Sequence, residues 1–148
     1  MSADPAFAQP PGLTLKKRIN AAPAKVFAAW TDPALIARWW GPDSGPVTQA
    51  DIDLRVGGRF TVSFRTEDGE AHTVSGSYRE IVPGERLVFS WAWISTPERQ
   101  SQVTISLKPD GTGTMLTLQH EQFFDEAARD SHRRGWTGTL DKLERLFA

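Results

Sequence analysis

The sequence predicts an α+β fold in which a curved antiparallel sheet of six or seven strands wraps a long C-terminal helix. Between residues 47 and 121, short runs of alternating apolar and polar residues are separated by turn residues, a pattern typical of hairpin-linked strands. From Phe123 to Ala148, apolar residues instead recur every three or four positions, which places them on one face of a helix. The sheet therefore supplies the surface on which this helix lies.

The N-terminal part of the chain is predicted to contain a tail, one strand and two short helices. Residues 1–12 hold three prolines and a glycine without periodicity, which indicates a flexible tail. Leu13–Ile19 alternates as a strand does. Pro23 and Pro33 each stand where a proline opens a helix, and the loop Gly41–Pro46 ends the second one.

The central region is predicted to consist of consecutive strands, each identified by alternation. The residues that define them are, in order, Thr48 to Leu54; Phe60, Val62 and Phe64; Val74, Gly76 and Tyr78; Leu87, Phe89, Trp91 and Trp93; Val103, Ile105 and Leu107; and Leu116, Leu118 and His120. The strand from Leu87 to Trp93 has the most apolar face of all. Such strands form an antiparallel meander with one face buried and one face in water.

The predicted C-terminal helix has an apolar stripe and a charged opposite face. The stripe consists of Ala128, His132, Trp136, Leu140, Leu143 and Phe147. Gly135 and Gly138 lie in the middle of the helix, where each costs about 1 kcal/mol relative to alanine. Two explanations are open: the helix approaches a neighbouring backbone closely, or the missing side chains leave room for a ligand.

Composition and charge exclude several classes of protein. Lys and Arg number 17 and Asp and Glu number 18, so the net charge of −1 gives no reason to expect nucleic acid. The absence of cysteine excludes disulfides and thiolate metal sites. No apolar run is long enough to span a bilayer and no signal pattern is present, which predicts a cytoplasmic protein without a membrane partner. The length suits a single domain over residues 13–148.

Five ordered motifs carry a resemblance to a known family. They are Val26-Phe27-Ala28-Ala29-Trp30-Thr31-Asp32-Pro33, Trp39-Trp40-Gly41-Pro42, Leu54-Arg55-Val56-Gly57-Gly58-Arg59-Phe60, Thr114 to His120, and Gly135-Trp136 followed by Leu140 and Leu143. Over about residues 13–148 the chain resembles the Aha1 C-terminal-like branch (activator of Hsp90 ATPase homologue) of the START/Bet v 1-like, or SRPBCC, superfamily. The resemblance implies a helix-grip fold. It also implies a volume between sheet and helix in which members of the superfamily hold apolar ligands.

Strand phase and the helix stripe place a set of large side chains around that volume. The apolar members are Phe60, Phe64, Phe89, Trp91, Trp93, Leu118, Trp136 and Leu140. Rings of this size either fill the volume as a solid core or line a cavity for a ligand. His120 and His132 are each either a hydrogen-bonded core residue or a polar anchor for that ligand, and Tyr78 is a further candidate anchor.

Three functions follow as hypotheses. The first is the binding of a small apolar or aromatic ligand in the cavity. The second is an Hsp90 co-chaperone-like or stress-related interaction domain with a chaperone partner, which requires an exposed apolar patch at Trp39-Trp40 or Ile94–Arg99. The third is a cyclase- or hydrolase-type enzyme, since some members of the superfamily have these activities. It requires His120 or Tyr78 to be reachable from solvent.

The sequence predicts no catalytic pair, metal site or cofactor. His120 and Glu121 are neighbours, but successive residues of a strand point to opposite faces. The histidines at positions 72, 120 and 132 have no spacing that gathers metal ligands, and an HExxH motif is absent. An unpaired strand edge would allow a homodimer.

Overall fold

The computed structural model describes residues 10–148, so most of the predicted tail over residues 1–12 lies outside the described residues. In chain order the elements are β1 (Leu13–Ile19), α1 (Pro23–Thr31), α2 (Pro33–Trp39), β2 (Val47–Ile52), β3 (Arg59–Arg65), β4 (Ala71–Val82), β5 (Arg86–Trp93), β6 (Ser101–Asp110), β7 (Gly113–Glu121) and α3 (Glu126–Leu146). This is the predicted order of one strand, two short helices, a run of strands and a long helix.

The strands form one seven-stranded antiparallel sheet in the order β1-β7-β6-β5-β4-β3-β2, which leaves β1 and β2 at its edges. Alternation assigns one face to the interior, so that Phe60 and Phe64 of β3 are buried while the exposed Arg59 and Arg65 flank them. Helix α3 adds Trp136 to the same core. The predicted α+β helix-grip fold is confirmed, with seven strands.

Helix α3 begins at Glu126, three residues later than the periodic stretch begins. The carboxylate of Asp125 accepts a hydrogen bond from the backbone N–H of Ala128 and so caps the helix. The 21 helical residues span about 32 Å, enough to cross the sheet. Within residues 10–148, no helix combines the length and the apolar character needed to cross a membrane.

The two short helices carry their tryptophans into the core. Asp32 separates them and caps α2, because its carboxylate accepts a hydrogen bond from the backbone N–H of Ala34. The Nε1–H of Trp39 donates to the carbonyl oxygen of Ala29 at 3.0 Å, which ties α2 to α1. Trp39 is 0% exposed and Trp40 is 5% exposed. The predicted exposed patch at Trp39-Trp40 is therefore wrong, since both side chains pack inward.

Strands β4 and β5 approach each other closely at Gly76. A Cβ atom there would lie 1.9 Å from the carbonyl oxygen of Ser90 and 2.8 Å from the ring of Phe60. The pairing of the two strands shifts register between Tyr78 and Glu80. A strand glycine and a register shift are both typical of a sheet that bends, as the grip around α3 requires.

Candidate ligand-binding site

A cavity of about 720 Å³ lies between the N-terminal half of α3, the β3–β4 hairpin, the end of β5 and the loop after α2. Its wall consists of Trp40, Gly41, Pro42, Phe64, Thr66, Ala71, His72, Thr73, Trp91, Trp93, Ile94, Ser95, Ser131, His132, Gly135, Trp136 and Thr139. This wall includes five of the predicted site residues, namely Phe64, Trp91, Trp93, His132 and Trp136. We call this region the open half of the interior.

The other predicted site residues lie outside the open half. Phe60, Tyr78 and Phe89 surround a void of about 10 Å³, which holds about one water molecule at most. Trp30 of α1 and Ile36 of α2 cover these rings and close the layer. The last three predicted site residues, Leu118, His120 and Leu140, are buried in the core and do not line the cavity. We call the region around Phe60, Tyr78 and Phe89 the filled half. Of the two alternatives drawn from the sequence, a solid core describes the filled half and a cavity describes the open half.

The loop after α2 forms one wall of the cavity through Gly41–Pro42 and is attached on both sides. The Nζ of Lys142 in α3 donates to the carbonyl oxygens of Trp40 at 3.2 Å and Asp43 at 2.7 Å. The Asp43 carboxylate accepts a hydrogen bond from the backbone N–H of Glu67 in the β3–β4 hairpin at 3.0 Å. The loop therefore connects helix and hairpin and fixes the wall between them.

The two glycines of α3 have different surroundings. A Cβ atom at Gly138 would lie 2.3 Å from the carbonyl oxygen of Pro42, so the helix and the loop backbone are in direct contact there. A Cβ atom at Gly135 would find the Cβ of Pro42 at 3.9 Å and nothing closer, and Gly135 lines the cavity. Each of the two explanations drawn from the sequence thus describes one glycine. Gly138 allows close packing, and Gly135 leaves space.

Two hydrogen bonds from indole N–H groups to imidazole nitrogens fix the aromatic wall. Trp93 Nε1 donates to His132 Nε2 at 3.0 Å, and Trp136 Nε1 donates to His120 Nδ1 at 2.9 Å. The second nitrogen of His132 donates to the carbonyl oxygen of Ala128 at 2.7 Å. Because each ring accepts one hydrogen bond from an indole, both imidazoles are neutral in this arrangement.

The contacts of His120 are those of a hydrogen-bonded core residue. Its side chain is 0% exposed, and its Nε2 donates to Ser101 Oγ at 2.7 Å. The Ser101 hydroxyl in turn donates to the carbonyl oxygen of Trp91 at 3.3 Å. Burial lowers the pKa of His120 well below its ordinary value and also lowers the pKa of His132. Both shifts favour the neutral rings that the tryptophans require.

Neither of the residues that the enzyme hypothesis requires is placed to exchange a proton with a molecule in the cavity. His120 has both nitrogens engaged, and Tyr78 lies in the filled half, where burial raises the pKa of its hydroxyl. In the part of the chain that the structure describes, no three His, Cys, Asp or Glu side chains are grouped to hold a metal ion. The geometry therefore gives no support to acid–base chemistry at His120 or Tyr78.

His72 lines the cavity but is not among the site residues predicted from the sequence. It shares the inward phase of Val74 and Tyr78 on β4, and its ring stacks on Phe64 with centroids 5.4 Å apart. The strand phase is present in the sequence, but the alternating residues identified for this strand begin at Val74, two positions after His72. Trp40 and Gly41–Pro42 were also missed, since their position depends on how α2 packs.

A family model described as Activator of Hsp90 ATPase homolog 1-like protein matches residues 20–148. The chain belongs to this family. Membership of the Hsp90-activator-like family confirms the recognition drawn from the five motifs. Two of those motifs, Trp39-Trp40-Gly41-Pro42 and Gly135-Trp136, contribute residues to the cavity wall.

Solved structures of bacterial proteins share the fold. A protein from Chromobacterium violaceum is 28% identical with a TM-score of 0.83, covering 93% of this chain and 98% of that chain. The AHSA1 protein from Silicibacter pomeroyi is 30% identical with a TM-score of 0.81, covering 91% and 96%. A protein from Nitrosomonas europaea is 25% identical with a TM-score of 0.77, covering 91% and 92%. No curated protein matches the sequence.

Proposed function

We propose that the protein binds a small, uncharged and largely aromatic or apolar molecule in the open half. The observation that carries the proposal is a cavity of about 720 Å³ whose described wall has four indole rings and no Asp, Glu, Lys or Arg side chain. Small-molecule sites typically measure about 300–1,000 Å³ and are mostly apolar. A charged ligand would lose hydration in such a cavity without gaining an ion pair, so an uncharged one is favoured.

The wall is held in place before a ligand arrives. Trp93 and Trp136 are oriented by their hydrogen bonds to His132 and His120, and the loop Gly41–Pro42 is attached through Lys142 and Asp43 as described. Binding therefore orders few additional side chains, which reduces its entropic cost. Burial of the ligand's apolar surface then contributes about 25 cal/mol per Å².

Gly135 provides a test that changes the cavity without altering the aromatic wall. Gly135→Leu places a large side chain in the cavity, and Gly135→Ala is its matched control with one methyl group. With naphthalene as the probe in equilibrium dialysis, we expect wild type and Gly135→Ala to bind saturably. We expect Gly135→Leu to bind at least about tenfold more weakly, a difference of about 1.4 kcal/mol. Equal binding by all three proteins, or no binding by wild type, would contradict the proposal.

A second proposal is a chaperone contact at the β5–β6 loop. The family description names activation of the Hsp90 ATPase, and Ile94 in this loop is 61% exposed. Arg99 at the end of the loop lies 3.9 Å above the ring of Phe124, another exposed apolar residue. In a pull-down with purified Hsp90, Ile94→Asp should lose the chaperone while Val56→Asp, a change at an exposed valine of the β2–β3 loop, should retain it. Failure of the wild-type protein to recover Hsp90 would count against this proposal.

A further inference from the structure

His72 lies on the cavity wall with one ring nitrogen unused. The residue is on β4 and faces inward with the phase of Val74. Its ring stacks on Phe64 and meets Trp93 edge-on, with centroids 6.1 Å apart, and both rings belong to the same wall. The imidazole therefore lies among the aromatic groups that a ligand would contact.

The hairpin next to His72 determines which nitrogen carries the proton. The hydroxyl of Thr66 donates to the carboxylate of Asp68, an interaction that lowers the pKa of Asp68. A hydroxyl has only one proton, and Thr66 donates it to Asp68. The Thr66 oxygen therefore accepts a hydrogen bond from His72 Nε2, which lies 3.2 Å away. A carboxylate oxygen of Glu70 lies 3.9 Å from the same nitrogen. Both neighbours place the proton on Nε2, which leaves the lone pair of Nδ1 as an acceptor.

The other nitrogen acceptors of the wall are already occupied. His132 accepts from Trp93 at one nitrogen and donates from the other. The threonine hydroxyls are also engaged, since Thr139 donates to the carbonyl oxygen of Gly135 at 2.8 Å and Thr73 pairs with Ser63 at 2.8 Å. Across residues 10–148 the structure gives His72 Nδ1 no hydrogen-bond partner. It is the imidazole acceptor that remains for a ligand.

We propose that His72 orients the ligand by accepting a hydrogen bond at Nδ1, so that the molecule is an aromatic that carries a hydroxyl group. This inference rests on the proposed function, because it concerns the same cavity. The aromatic body lies against the indoles of the open half, and the hydroxyl lies beside His72 at the hairpin. Thr66 and Glu70 are positioning residues, since they hold the ring with Nδ1 free.

Two probes that differ only in a hydroxyl or a methyl group of similar size distinguish this inference from apolar binding alone. A net hydrogen bond is worth a factor of about three to ten in affinity, and an analogue without the donor also leaves Nδ1 unpaired. The probes are 2-naphthol and 2-methylnaphthalene, which share the ring system. The proteins are wild type, His72→Phe, and Ser75→Ala as a control on the same strand, at a serine that does not line the cavity.

Equilibrium dialysis measures both affinities for each protein. We expect wild type and Ser75→Ala to bind 2-naphthol about three- to tenfold more tightly than 2-methylnaphthalene. His72→Phe should lose this preference while it still binds 2-methylnaphthalene. In wild type, the ¹⁵N resonance of His72 Nδ1 should shift on addition of 2-naphthol and stay in place with 2-methylnaphthalene. This last reading does not depend on the folding of a variant.

The outcomes separate the inference from the proposed function. Equal affinity of wild type for the two probes, a preference retained in His72→Phe, or an unmoved Nδ1 resonance with bound 2-naphthol would overturn the role of His72. Each of these results leaves apolar binding standing. Failure of both probes to bind wild type would overturn the proposed function and this inference with it.

Discussion

The two halves of the interior are built from the same kind of side chain and differ in what covers them. In the filled half, Phe60, Tyr78 and Phe89 pack against Trp30 and Ile36, and about 10 Å³ remains. In the open half, the sheet is faced by Gly135 of α3, which has no side chain, and by the loop Gly41–Pro42. About 720 Å³ therefore remains empty. An aromatic-rich sheet therefore becomes core or cavity according to the elements packed on it.

The largest expected effect comes from truncating one phenylalanine in each half. Phe89→Ala should cost about 3–5 kcal/mol of unfolding free energy, because it leaves a hole among packed rings. Phe64→Ala, equally buried but beside the cavity, should cost about 1–2 kcal/mol, since fewer partner atoms are lost. Urea unfolding measures both. Equal costs would mean that the two halves are packed alike.

The free energy of unfolding should depend on pH through the two histidines that orient the tryptophans of the open half. Burial lowers the pKa of His120 and His132, so unfolding takes up protons once the pH falls below about 6.5. Their stabilising contribution is complete above that pH. It is lost toward the lower folded-state pKa values, at up to about 1.4 kcal/mol per pH unit for each histidine.

His132→Gln should remove the contribution of one histidine. The difference between wild type and variant in unfolding free energy, measured from about pH 7.5 to about pH 5, should therefore change with pH by up to about 1.4 kcal/mol per unit. Taking this difference cancels the titration of the groups that His132 does not affect; His120, whose pKa His132 also lowers, is the one neighbour that contributes to it. A difference that stays constant over this range would show that His132 is not held neutral by the fold.

Alanine substitutions at the two glycines of α3 should have effects of opposite sign, and the one at Gly135 is the smallest effect expected here. Gly138→Ala should destabilise the protein by about 1–3 kcal/mol, because the new methyl group meets the carbonyl oxygen of Pro42. Gly135→Ala should stabilise the protein by about 0.5–1 kcal/mol, because alanine has the higher helix propensity and its Cβ atom would extend into the empty cavity without a clash. Thermal unfolding of both variants measures the signs. Destabilisation of similar size by both would contradict the assignment of space to Gly135.

The periodic elements could be predicted from the sequence because each repeats its own signal. Leu13–Ile19 was predicted with its observed bounds, and the apolar stripe of α3 places Trp136 and Leu140 in the core as expected. These features depend on the spacing of apolar residues along the chain, which is about two residues in a strand and 3.6 in a helix and can be read from the sequence.

The division of the interior could not be predicted, because it depends on tertiary placement. Nothing local indicates that Trp30 and Ile36 lie over Phe89, or that Trp39 bonds to Ala29 and is therefore buried. The two glycines look alike in the sequence, and only the position of the loop after α2 distinguishes them. His72 is different, since its inward phase was readable from β4.

The indole N–H resonances test the central claim most directly, because tryptophans lie both on the wall of the open half and outside it. In a ¹⁵N–¹H spectrum with saturating naphthalene, the account predicts that the signals of Trp93 and Trp136 move and that those of Trp30 and Trp39 stay in place. Equal shifts of all four, or shifts confined to Trp30 and Trp39, would contradict a ligand site in the open half. An unchanged spectrum would show that the cavity does not take up an apolar molecule.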